Sequence, residues 1–143
     1  MTYDLLLVNA LATWFMFGVI AVIQIVHYPL FNRVGAEGFE TYEREHAHRI
    51  TWIVLLPMLI ELGTSVAMVW QPPLEITRGF AWIGLALVGI IWASTAFLQV
   101  PMHTRLEAGF SDDAYRALVR TNWLRTAAWS IRAGMLAAAL TVR

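Results

Sequence analysis

The stretch Gln24–Arg49, QIVHYPLFNRVGAEGFETYEREHAHR, leaves one apolar segment, crosses a short charged connection and enters the next apolar segment. It carries three of the four histidines, His27, His46 and His48, and its pattern decides the fold class. A chain that alternates long apolar runs with brief charged turns is a bundle of membrane helices, because a hydrocarbon core needs about 20 apolar residues of helix to cross it. Working outward, four segments qualify at about 5–30, 50–70, 80–100 and 112–142. Pro29, the Gln71-Pro72-Pro73 run and Pro101 are expected to stop or bend three of these helices near their ends. Gly35 and Gly38 break the first connection and Gly109 the second, while Ser111 followed by Asp112 and Asp113 is an N-cap signal for the last helix.

Composition supports the same class. Of 143 residues, 59% are hydrophobic and 14% charged, with a mean hydropathy of +0.60. That leaves too little charge to cover a water-soluble domain of this size. The formal charge is zero with no basic run, so no nucleic-acid footprint is present. With no cysteine, disulfides, thiolate-bound metals, iron–sulfur clusters and a thiol nucleophile are excluded. The first apolar run lacks a basic leader and a small-residue cleavage site, so it is expected to be a retained helix. Tyr3, Trp14, Trp52, Trp70, Trp82 and Trp123 fall mostly towards segment ends, as aromatic belts do. Gly89 with Ala93, and Ala133 with Ala137, have the small-xxx-small spacing that allows close helix contact, within the bundle or between subunits.

Arginine sets the expected topology. Arg33, Arg44, Arg49, Arg105, Arg116, Arg120 and Arg125 accompany the two charged connections, against Arg78 and Arg143 on the other side. This bias places the connections in the cytoplasm and both termini on the non-cytoplasmic side. The halves also echo each other: Gln24, His27, Pro29, Arg33, Gly38-Phe39 and Tyr42 recur as Gln99, His103, Pro101, Arg105, Gly109-Phe110 and Tyr115. The expectation is an all-α, single-domain, four-helix integral membrane bundle made of two parallel two-helix repeats, about 5–70 and 80–142.

Candidate chemistry gathers at the cytoplasmic end. Gln24 with His27, and Gln99 with His103, share helix faces at matching depth, and His46 and His48 enter the second helix nearby. His27, His103 and His46 are candidates for acid/base work, and His27, His46, His48, His103 and Glu43 for a His-ligated metal or haem. Glu43 to His46 and Glu45 to His48 read Glu-x-x-His, but His46 and His48 project about 200° apart, which makes His27 and His103 the better pair. Interfacial packing is the alternative use of each histidine. Glu61 and Arg132 lie inside apolar segments, where each costs about 2.5–3.5 kcal/mol, so they are expected to pair. Asn122, Arg125, Thr126, Trp129 and Arg132 form one polar stripe. Gln24, Glu61, Gln99, Asn122, Arg125 and Arg132 are therefore candidates to position a substrate, or else to specify helix packing. Trp14, Trp92, Met58 and Met68 are read as packing residues.

The second half, VPMHTRLEAGF followed by Tyr115 and VRTNWLRTAAW, resembles the small four-helix membrane proteins of the DUF1772, or anthrone-oxygenase-like, group. The likeness rests on Pro29 near the end of helix 1, Val100-Pro101 before a polar residue at 103, and the Asn122-Trp123-Leu124-Arg125-Thr126 entry to helix 4. That group often has asparagine shortly after the second proline, where this chain has His103, and His27, His46 and His48 have no counterpart in its pattern. The resemblance implies oxygenase-like activity on aromatic polyketides, as in some members, without an obligatory cofactor. A small four-helix haem-pathway oxidase family is similar in having a histidine near the end of helix 1, though not in the second half. Two functions follow as expectations. One is a membrane-embedded oxidoreductase in a bacterial inner membrane, acting on a lipid, quinone or aromatic compound among membrane lipids. The other is a non-catalytic module, either a haem or metal carrier or an assembly subunit of a larger complex or homo-oligomer.

Overall fold

The computed structural model describes residues 2–141, and all of its regular structure is helical. The helices are α1 (Thr2–Val22), α2 (Ala36–Trp70), α3 (Arg78–Ser94), α4 (Val100–Glu107) and α5 (Asp112–Thr141). A π-helical turn and a 3-10 segment continue α1 without a break to Arg33, and a second π-helical turn joins α3 to α4. The result is four rods: α1 packs on α2 and α5, and α3 packs on the same two from the other side. Val142, the expected end of the last helix, and Arg143 lie outside the described residues.

Helix ends differ from the sequence expectation in one consistent way. The helices run on through the stretches taken for connections. α2 begins at Ala36 rather than near residue 50 and is 35 residues long, about 52 Å at 1.5 Å per residue. That exceeds the roughly 30 Å of a hydrocarbon core, and its first turns carry Glu37, Glu40, Glu43, Arg44 and Glu45. The first connection shrinks to Val34 and Gly35, and among the described residues only Gly35 (φ 85°) and Gly109 (φ 132°) adopt the left-handed backbone these sharp reversals need.

α2 ends at Trp70, just before Pro72 and Pro73, as expected, whereas Pro29 and Pro101 do not end their helices. Proline lacks an N–H and its ring clashes with the carbonyl four residues back. Here that carbonyl falls inside a widened π turn, Ile23–His27 before Pro29 and Thr95–Gln99 before Pro101. Each turn absorbs the insertion and lets the helix proceed. Pro57 lies within α2, which continues through it. The Ser111 cap is as expected: its hydroxyl accepts from the Ala114 amide at 3.4 Å.

Packing divides into two apolar clusters with a polar layer between. Leu6, Ala10, Met68, Ala81, Leu136 and Ala139 fill one end. Met16, Ile20, Phe31, Phe39, Leu118 and Trp129 anchor the other. Between them Arg132 Nε donates to Glu61 Oε1 at 2.9 Å, the expected ion pair. The remaining guanidinium donors reach the Gly84 carbonyl at 2.5 Å, Asn9 at 3.0 Å, Thr13 at 3.2 Å and Ser65 at 3.3 Å. Glu61 also accepts from Thr13 at 2.7 Å and from Trp129 Nε1 at 3.0 Å. Every rod contributes to this network, which a buried charge pair requires if it is not to cost more than it returns.

Gly84 is needed there. A Cβ at this position would sit 3.2 Å from Arg132 Nη1, and that atom is held by the bond to the Gly84 carbonyl. Gly84→Ala is expected to lower thermal stability in detergent by about 1–3 kcal/mol, the usual cost of overpacking. An unchanged melting temperature would show that the network can give way. Gly89 and Ala93, by contrast, face outward, and of the second pair only Ala133 is buried. Trp14 is no belt residue: its indole N–H donates to the Ala133 carbonyl at 3.1 Å.

Three of the continuous helices, Tyr3–Arg33, Ala36–Trp70 and Arg78–Glu107, are long and apolar enough to cross a membrane. Their outer faces are correspondingly apolar, with Val22, Ile25, Trp52, Leu56 and Phe97 each more than half exposed. α5 carries the polar stripe, and Asn122, Arg125, Thr126, Trp129 and Arg132 are all buried against the other rods.

Candidate functional site

The π turns build the site. Each turns a glutamine inward to grip α5. Gln24 accepts from Asn122 Nδ2 at 2.7 Å and donates to the Val119 carbonyl at 3.2 Å. Gln99 donates to Thr121 at 3.1 Å and accepts from Ser94 at 2.9 Å. Asn122, held by Gln24, then accepts two bonds from Arg125, from Nε at 2.9 Å and from Nη2 at 2.5 Å. Thr95, inside the second π turn, accepts from Arg125 Nη1 at 3.2 Å. The guanidinium carbon lies 5.9 Å from the centre of the Trp129 ring.

Arg125 is 8% exposed, and among the described residues no carboxylate pairs with it. A buried cation without a counter-charge is costly. The Tyr28 hydroxyl also lies close enough to interact with it electrostatically.

Tyr28 opens a three-residue relay. Its hydroxyl lies 2.9 Å from His103 Nε2, and His103 Nδ1 is hydrogen-bonded to Glu43 Oε1. The carboxylate can only accept, so Nδ1 carries the proton, Nε2 presents its lone pair, and the Tyr28 O–H donates to it. Tyr28 and Glu43 are buried. This is a base oriented by a carboxylate and set against an ionisable hydroxyl, the arrangement that activates a nucleophile or a proton-transfer group. Tyr28, His103 and the Arg125 guanidinium together line a cavity of about 440 Å³. Its depth is apolar (Met16, Ile20, Val54, Met58) and its mouth carries Arg44, His48, Thr104 and Glu107.

A second cavity, about 600 Å³, lies across a wall of Val19, Ile23 and Ile50 that lines both. Its polar groups include His27, His46, Tyr42, Glu45 and Arg49. His27 Nε2 and His46 Nδ1 are 2.9 Å apart.

The expected site residues therefore fall into three places. His103, Gln99, Arg125 and, behind them, Gln24, Asn122 and Glu43 belong to the first cavity. Glu61 and Arg132 do not line it; both are consumed by the layer below, joined to Arg125 only through Trp129. His27 and His103 are not a direct pair, because His46 stands between them, its ring centre 4.5 Å from that of His27 and 5.5 Å from that of His103. The early start of α2 explains this: His46 sits in its third turn, one turn from Glu43 and on the same inward side. His48 turns away, exposed, accepting from Trp52 Nε1 at 3.4 Å. The sequence does not single out Tyr28, whose one mark is its place between His27 and Pro29.

The donor set gives the expected metal no support. Among the described residues no three histidines or carboxylates form a group that would hold a metal ion. Both nitrogens of His103 are engaged, by Tyr28 and Glu43, and Nε2 of His27 is engaged by His46. No family model, curated protein or solved structure matches the chain.

Proposed function

We propose that this chain is an integral membrane enzyme, of oxidoreductase or oxygenase type, that abstracts a proton from a hydrophobic phenolic or enolisable aromatic substrate. The observation that carries the reading is the Tyr28–His103–Glu43 relay sharing an apolar cavity with the unpaired Arg125. His103 takes the Tyr28 proton, Tyr28 takes one from the substrate, and Arg125 stabilises the enolate or phenolate that results. The anion is the species that dioxygen oxidises: a methylene flanked by two aromatic rings becomes a ketone as O₂ supplies the oxygen and water leaves. This is the chemistry that the likeness to the anthrone-oxygenase-like group suggests.

The membrane reading rests on three apolar helices and their apolar outer faces. The arginine bias favours a site at the cytoplasmic end of the bundle, with both termini across a bacterial inner membrane. The matched π turns before Pro29 and Pro101 favour a duplicated origin for the two halves.

A test uses protein purified in mild detergent with a hydroxyanthraquinone, whose colour reports loss of its phenolic proton. Binding is expected to shift the bound dye to its anionic spectrum at a pH where the free dye stays neutral, and Arg125→Gln is expected to remove that shift. Oxygen uptake with anthrone reports the full reaction. A dye that binds without ionising, in a protein that leaves anthrone untouched, would sink the enzyme reading in favour of a non-catalytic module.

A further inference from the structure

Two orphan atoms adjoin the relay. Glu43 Oε2 and His46 Nε2 are buried without a hydrogen-bond partner, although native proteins pair nearly all such atoms. They belong to residues three apart on α2, one helical turn on a shared inward side. His103 is the group from which the proton must leave. One of its ring nitrogens faces Tyr28 and the other Glu43, and both of those partners are buried.

We infer that Glu43, His46 and His27 form a proton exit that carries the substrate's proton from the first cavity to the mouth of the second. This rests on the proton-abstracting function proposed above.

The steps balance without any electron transfer. The His103 imidazolium gives its Nδ1 proton to the Glu43 carboxylate, and a turn about Cγ–Cδ presents that proton on the free side of the carboxyl. A water bridging the two unpartnered atoms carries it to His46 Nε2, and His46 passes its own Nδ1 proton to His27 Nε2, 2.9 Å away. His27, half-buried and lining the second cavity, releases its Nδ1 proton to water. One proton enters at the Tyr28 oxygen and one leaves at His27; each ring is left as its other neutral tautomer, and proton exchange with water returns it to the first before the next cycle.

The unpaired Nε2 fits this direction. Of the two neutral tautomers of His46, the one that donates from Nδ1 leaves a bare acceptor buried, whereas the other leaves a buried N–H donor. Under-satisfied acceptors are the commoner exception. The groups facing His46 are His27, Tyr28 and His103 from other segments and Tyr42 and Glu43 from its own helix. Glu45 and Arg49 stand at the mouth of the second cavity. Arg49 is paired there with Glu45 at 3.1 Å, which balances its charge beside the exit.

The experiment mixes hydroxyanthraquinone with the detergent-solubilised protein in stopped flow, following dye colour and, through a water-soluble pH indicator, the proton reaching bulk water. In the unaltered protein both signals are expected to rise together. In His46→Gln the colour change is expected to persist while proton appearance slows about 100-fold, at the lower end of what positioned proton transfer contributes. His46→Ala is expected to regain speed with added imidazole, which a packing role would not produce. An undiminished proton signal in His46→Gln overturns the exit while leaving the enzyme reading in place. Failure of the unaltered protein to ionise the dye removes both. If the His46 variants no longer bind dye, His27→Gln decides, since its ring is half-exposed and lines the second cavity rather than the first: slowing supports the exit, and an unchanged rate overturns it.

Discussion

Tyr28→Phe is expected to lower the initial rate of anthrone oxidation by about 10²–10⁴, the range over which a positioned acid or base contributes. The substitution removes one oxygen atom and keeps the ring that packs against Phe31 at 5.3 Å between centres. Binding of the hydroxyanthraquinone should therefore survive, with KM nearly unchanged and kcat reduced. His103→Gln is expected to do the same, because glutamine can fill the space but cannot take the proton. The decisive comparison is the double variant. Groups that act as one unit are non-additive, so Tyr28→Phe/His103→Gln should be about as slow as either single change. Two losses that multiply would mean that Tyr28 and His103 serve separate steps, and a full rate in Tyr28→Phe would remove the relay from the mechanism. Glu43→Gln adds a graded case: an amide oxygen still accepts from His103 Nδ1 but no longer balances an imidazolium, so a smaller rate loss is expected.

Why this relay escapes the sequence, when other parts of the site do not, has a physical reason. Charges inside apolar segments announce themselves by their cost, so Glu61 and Arg132 point to each other across 71 residues. The α5 stripe is equally legible, because its period of three and four residues needs no partner helix to be recognised. The link from Glu43 to His103 is different. It depends on the register of α2 against α4, and that register depends on where α2 begins. Glu37, Glu40, Glu43, Arg44 and Glu45 read as a solvated connection, whereas they form helix that extends past the apolar zone with one of its acids turned inward. Tyr28 is hidden for another reason: a tyrosine at the end of an apolar run is the ordinary interfacial residue, and only the π turn aims it inward. Asn9 and Thr13 carry a signal that could be used. Two polar residues four apart in an otherwise apolar helix share a face, and that face meets the ion pair.

Arg132→Gln and Glu61→Gln should each destabilise the bundle by about 3–5 kcal/mol, the penalty for leaving one member of a buried pair uncompensated. Thermal unfolding in detergent measures it. Glu61→Gln is expected to be the milder change, since the amide oxygen can still accept from Thr13 or from Trp129 Nε1, which bond opposite oxygens of the carboxylate. Arg132→Gln abandons the Gly84 carbonyl and the Asn9 and Ser65 side chains together. The double change Glu61→Met/Arg132→Met is expected to recover much of the loss, because apolar groups of similar volume carry no desolvation penalty. Full additivity of the two single losses would show instead that the neighbouring hydrogen bonds, rather than the pair, hold the layer. The same variants separate structure from function. Glu61 reaches the first cavity through Trp129, whose ring supports Arg125. In any variant that still folds, dye ionisation should weaken in step with loss of the Trp129 contact, whereas a direct binding role for Glu61 would abolish dye binding outright.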